Sequence, residues 1–197
     1  MAEAVLQPAL PSLTQPVRIR PDAGDEMEIP PAALVVLVGP SGCGKSTFAR
    51  RWFGETEVVS SDECRRLVSD DAASQAVSRE AFSVFYAILR ARLTVGRLAV
   101  ADATSLTPWS RQMLRQIAGA RGRPVVAVAF DAPLRLCLAR QHLRERRVPP
   151  EVVESSYELF RQALLDLPRE GYARLYVVEP PPADVEDVAE PGDLMSA

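Results

Sequence analysis

Lysine is almost missing from this chain: of 23 basic residues, Lys45 alone is a lysine and the other 22 are arginines. A coding bias toward arginine accounts for the background. It leaves the survivor as a position where a compact, mobile ammonium serves better than a rigid guanidinium fork. Histidine is as scarce, with His142 the only one. That excludes a histidine-based triad or metal centre and leaves His142 as a surface or packing residue. The three cysteines, Cys43, Cys64 and Cys137, are odd in number and lack ligand spacing, so neither a disulfide scaffold nor a zinc site is indicated. No apolar run reaches membrane-spanning length, and the first residues lack a basic segment leading into a continuous apolar one, so a cytoplasmic location is expected. A formal charge of -3 gives no global positive field, and a nucleic-acid partner would need a local basic cleft. At 197 residues, 47% hydrophobic and 25% charged, the chain has the size and balance of one domain with a sizeable core.

What the sequence does contain is concentrated at residues 34–53. Leu34-Val35-Val36-Leu37-Val38 is an apolar run of the kind that forms a central parallel strand. It feeds directly into Gly39-Pro40-Ser41-Gly42-Cys43-Gly44-Lys45-Ser46-Thr47, a complete G-x-x-x-x-G-K-[ST] string that opens a helix. Between a buried strand and a helix, this turn aims backbone N–H groups and the helix N-terminus at one phosphate cluster. The expected occupants are ATP and a divalent cation, Mg²⁺ or Mn²⁺. Gly39, Ser41, Gly42, Cys43, Gly44 and Thr47 form the cradle, Lys45 reaches the terminal phosphates, and the Ser46 hydroxyl ligates the cation.

The flanking chain supplies candidates for the rest of a phosphotransfer site. Residues 1–27 are proline-rich and read as a partly ordered extension in which Val17-Arg18-Ile19-Arg20 could form a short edge strand. Residues 28–182 read as the compact domain, and 183–197 as an acidic tail expected to be disordered. A short strand at 58–60 would deliver Asp62 to the carboxyl edge of the sheet, where it could take the proton of an acceptor hydroxyl; the alternative is a plain helix cap. Arg65, three residues on, shares its face. A strand ending at Asp102 places an acid where it could help hold the metal, against the alternative that Asp102 and Thr104 cap the next turn. The stripe from Ala76 to Val95 has helical spacing and reads as core. After a buried strand at 125–130, a helix from Leu134 carries Arg140 and Arg144 one turn apart, with Arg147 continuing the face. Like charges at that spacing repel, a cost that a polyphosphate would reverse. These arginines are the candidate lid. Strands alternating with helices give a three-layer α/β fold with a mostly parallel, five-stranded sheet. No N-K-x-D guanine reader is present, which argues against a GTPase switch.

GPSGCGKSTFA, VVSSDECRRLVSDD, VADATS and the Arg140, Arg144, Arg147 series together resemble the 5'-OH polynucleotide kinase domain of bacterial end-healing RNA repair enzymes, over about residues 28–178. The resemblance implies a P-loop kinase fold with sheet order 2-3-1-4-5. It implies Lys45 and Ser46 on the ATP phosphates and Mg²⁺, Asp62 as general base on a ribose 5'-hydroxyl, and Arg65 with Thr104 on the acceptor side, Arg65 holding the 3'-side phosphate. It also implies Arg140 and Arg144 clamping the ATP phosphates. The implied partner is single-stranded or nicked RNA or DNA with a 5'-OH end, with separate phosphatase and ligase proteins beside it. The DATN form common in that family is DATS here, at Asp102 to Ser105. Two other readings share the scaffold: a kinase for a small metabolite, antibiotic or nucleotide sugar, and an ATP-binding regulatory module without an acceptor.

Overall fold

The computed structural model describes residues 13–143, 147–181 and 184–185. Arg144, the first twelve residues of the expected extension and the expected tail apart from Asp184 and Val185 lie outside them. Six strands form one sheet, in chain order β1 (Pro16–Ile19), β2 (Leu34–Val38), β3 (Val58–Ser60), β4 (Ala99–Asp102), β5 (Val125–Phe130) and β6 (Arg174–Val178). The spatial order is β1-β6-β5-β2-β4-β3, and every pair is parallel. The sheet is therefore six-stranded, where the sequence predicts five. Counted from β2, the other five strands run 2-3-1-4-5, and β1 adds an edge beyond β6. Its residues Pro16 to Ile19 lie in register with Leu175 to Val178. A proline at the first position of an edge strand costs no ladder bond, which is why the proline-rich segment can still pair here.

Among the described residues the α-helices are α1 (Lys45–Trp52), α2 (Ser61–Ser69), α3 (Ser78–Thr94), α4 (Pro108–Gly119), α5 (Leu134–His142) and α6 (Pro150–Asp166). Every residue of β2, β4 and β5 is buried, as expected for strands covered on both faces. Alternation along β2 divides the core. Leu34, Val36 and Val38 pack with Phe85, Leu89, Leu93, Leu114 and Phe160 on one face, while Val35 and Leu37 pack with Phe48, Leu136 and Val153 on the other.

One polar feature crosses this core. Arg111 of α4 has no solvent exposure and donates to Glu170 from Nε at 3.0 Å and from Nη2 at 2.6 Å. Its Nη1 donates to the carbonyls of Ser105 at 3.2 Å and Leu106 at 2.6 Å. Tyr172 adds a 3.0 Å hydrogen bond to the other Glu170 oxygen. This cluster ties the elbow that follows β4 to the 3-10 turn Leu167–Arg169 after α6.

The lid helix is shorter than the sequence predicts. α5 stops at His142, and Arg147 is non-helical and exposed. Pro149 and Pro150 account for part of this, since a residue before proline is pushed out of helical conformation. Arg147 therefore does not continue the helical face of Arg140.

Candidate functional site

The loops leaving the carboxyl ends of β2, β3, β4 and β5 converge on one edge of the sheet, the edge at which open parallel sheets bind ligands. The loop after β2 needs its glycines. Gly42 and Gly44 have φ of 86° and 106°, which a side chain would strain. A Cβ on Gly42 would also overlap the Cys137 carbonyl of α5, and one on Gly39 would come within 2.6 Å of Cys43 Sγ. The loop therefore closes tightly against α5, whose Gln141 Nε2 donates to Ser41 Oγ at 2.7 Å. With Gly44 as its N-cap, α1 points its free first-turn N–H groups into the cradle. Lys45 is 8% exposed and folds back on the loop, donating to the carbonyls of Gly39 at 2.9 Å and Pro40 at 2.7 Å. Thr47 sits exposed at the mouth.

The Ser46 hydroxyl lies beside the Asp102 carboxylate. Burial raises the pKa of Asp102; the nearby Ser46 hydroxyl and the Lys45 charge oppose that rise, while Asp62 adds to it. A hydroxyl and a carboxylate side by side next to a phosphate cradle are an oxygen donor set suited to a hard divalent cation. Neither acid is a cap. Ser60 caps α2 by accepting from the Glu63 amide, and Thr107 caps α4 by accepting from the Ser110 amide.

Asp62 is the exposed partner of an ion pair, its Oδ1 2.5 Å from Arg65 Nη1. Arg65 is buried, and its guanidinium carbon lies 5.7 Å from the centre of the Phe82 ring. Arg66 points away, exposed and paired with Glu63. The structure thus brings Asp62, Arg65, Asp102, Ser46 and Lys45 to one edge. Thr104 joins them through its carbonyl, which accepts from the Gly39 amide at 3.0 Å, and its side chain is exposed.

On the opposite side of the loop lies a cavity of about 590 Å³, lined by Gly44, Phe48, Trp52, Arg140, Val178 and Pro180 among others. Arg140 Nη1 donates to the Cys43 carbonyl at 3.4 Å and its Nη2 meets Asp184 at 2.6 Å, so Arg140 faces the cradle from α5. The cavity joins a phosphate cradle to apolar walls, the composition a nucleoside needs. The sequence pattern alone does not show Trp52, Asp22 and Arg51 at its rim, where Arg51 pairs with Asp22. A signal existed for Trp52: it lies seven residues beyond Lys45, on the same face of α1.

Cradle and parallel sheet together define the class, a domain of the P-loop kinase-like fold. The chain belongs to the AAA domain family, whose sequence profile matches residues 34–166. No curated protein matches the chain. Among solved structures, the fold is similar to that of a chain in the Pnkp1/Rnl/Hen1 RNA repair complex, with a TM-score of 0.60, 21% identity, and coverage of 76% of this chain and 51% of that one. It is also similar to the AvrRxo1-ORF1:AvrRxo1-ORF2 complex, with a TM-score of 0.55, 21% identity, and coverage of 68% and 49%. A third likeness is to the Mycobacterium tuberculosis APS kinase CysC, with a TM-score of 0.50, 21% identity, and coverage of 86% and 100%. The chain spans about half the length of the first two, at 51% and 49%. Among the described residues no helix is long and apolar enough to cross a membrane.

Proposed function

We propose that this chain transfers the γ-phosphoryl group of ATP to the 5'-hydroxyl of an RNA or DNA end. The observation that carries the reading is the Asp62–Arg65 pair. An exposed carboxylate stands within electrostatic reach of Asp102 and is held at 2.5 Å by a buried guanidinium, on the side of the cradle away from the nucleoside cavity. Supporting it are the SSD-x-x-R and DATS strings and the fold likeness to a chain of an RNA repair complex.

In the proposed reaction the acceptor oxygen forms a bond to the γ-phosphorus and the bond from that phosphorus to the β,γ-bridging oxygen breaks. ADP departs with the electron pair, and the acceptor proton passes to the Asp62 carboxylate. The loop amides and Lys45 hold the phosphates in line, and Arg140 balances the charge spreading over the equatorial oxygens. Arg144 and Arg147 are proposed to complete that clamp. Ser46 and Asp102 would hold Mg²⁺, which supplies charge neutralisation between the phosphates. Separate phosphatase and ligase proteins would act on the same ends.

The test incubates the full chain with γ-labelled ATP and three acceptors: a 5'-OH oligoribonucleotide, a 5'-OH oligodeoxynucleotide and a metabolite panel. Label is expected on the oligonucleotides. Label confined to a metabolite would overturn the acceptor assignment and leave the kinase class standing. In the same assay Arg65→Ala is expected to raise KM about tenfold for an acceptor whose first nucleotide carries a 3'-side phosphate, the size of one lost charge-assisted contact. A 5'-OH nucleoside without that phosphate should be little affected. Equal losses for both would argue against the contact.

A further inference from the structure

A second cavity opens beside the acid pair. We infer that it is a subsite for the terminal nucleobase of the acceptor, with Phe82 and Tyr86 as its stacking wall. This rests on the acceptor being a nucleic-acid end.

The cavity has a volume of about 210 Å³ and is lined by Phe82, Tyr86, Thr104, Ser105, Leu114 and Leu159 among others. Its position follows from contacts already described. Phe82 lies under the guanidinium of Arg65, and the same guanidinium holds Asp62. On the opposite wall, Thr104 is two residues beyond Asp102 and hydrogen-bonds the first residue of the phosphate loop. A ribose whose 5'-oxygen meets Asp62 therefore has this cavity on the far side of Arg65, reached through Phe82. Phe82 and Tyr86 sit on successive turns of α3, both half-buried, with ring centres 5.8 Å apart. The α3 stripe reads as core from sequence, and Ala81, Phe85, Leu89 and Leu93 are core; these two rings instead remain partly open.

Ser105 supplies the second, independent observation. It is 4% exposed and lines the cavity, and its hydroxyl is buried without a hydrogen-bond partner among the described residues. It also holds a φ of 48°, a left-handed conformation uncommon for a residue with a side chain. The Arg111 guanidinium keeps it there by donating to its carbonyl. A buried hydroxyl with no partner carries a desolvation cost that a polar ligand atom removes. Arg65 Nε is a second buried polar atom without a partner among the described residues, at the Phe82 end. An aromatic wall of two rings inclined at 35°, with a single hydroxyl beside it, suits a group having a π face and a polar edge. That is a nucleobase, and stacking of this kind accepts any of them.

The experiment compares two acceptors that differ only in the 5'-terminal nucleoside, one intact and one abasic, using the full chain with Mg-ATP. The abasic acceptor is expected to lose about tenfold in kcat/KM, mainly through KM, the size of one lost base–aromatic stack. Phe82→Leu keeps apolar volume while removing the π face, and in it the two acceptors should converge. Tyr86→Leu gives the same readout should the first variant fold poorly. Equal kcat/KM for both acceptors in the wild-type protein would overturn the subsite and leave the 5'-hydroxyl kinase reading intact. Absence of label on both, in protein that binds ATP, would overturn the two together.

Discussion

Replacing Asp62 by alanine should lower phosphoryl transfer by about 10²- to 10⁴-fold, the range that loss of a positioned general base produces, while ATP binds as before. Asp62 does not line the nucleoside cavity, so the two measurements separate. The alanine variant has a complication that the structure makes visible. It deprives the buried Arg65 of its carboxylate partner, and an unpaired buried guanidinium disturbs its surroundings. Asp62→Asn is the cleaner companion, because the amide oxygen can still accept from Arg65 but cannot take up a proton at neutral pH. Both variants should be nearly inactive in label transfer and close to wild type in ATP affinity by calorimetry. Near-wild-type turnover in Asp62→Asn would remove the carboxylate from the mechanism.

Glu170→Ala should cost about 3–5 kcal/mol of stability, the usual result of breaking a buried pair and stranding its charge. Arg111 is entirely buried, and without Glu170 it keeps only two carbonyl acceptors and Asp166, whose nearest oxygen is 3.7 Å away. For a chain of this size the midpoint of thermal unfolding should fall by roughly 10 °C. Adding Arg111→Met to that variant should recover much of the loss, since removing both charges is far cheaper than removing one. A single variant that melts with the wild type would mean that the cluster adds little to stability.

Much of the fold is legible in sequence where burial is two-sided. The runs at 34–38 and 125–130 are apolar without interruption, because sheet neighbours and helices cover them everywhere. β1 lacks that signature. Three of its four residues are exposed, and it joins the sheet through backbone hydrogen bonds to β6, which any sequence can make. The donor half of the site is legible because a phosphate cradle needs glycine at fixed positions. On the acceptor side, spacing leaves Arg65 and Arg66 equivalent, and only burial against Phe82 separates them. Arg111 and Glu170 are 59 residues apart and read as ordinary surface charges until the fold brings them together. Ser105 reads as a simple loop residue, since backbone handedness leaves no mark on a serine.

The folded-back ammonium of Lys45 has a chemical consequence. Because this chain has one lysine, an amine-selective acylating reagent finds a single side-chain target in it, and that target lies in the nucleotide cradle. Peptide mapping, which separates an α-amino adduct from the side-chain one, should then find Lys45 either modified or free. ATP in the cradle should suppress that adduct, making the extent of labelling a direct titration of nucleotide occupancy without any engineered tag.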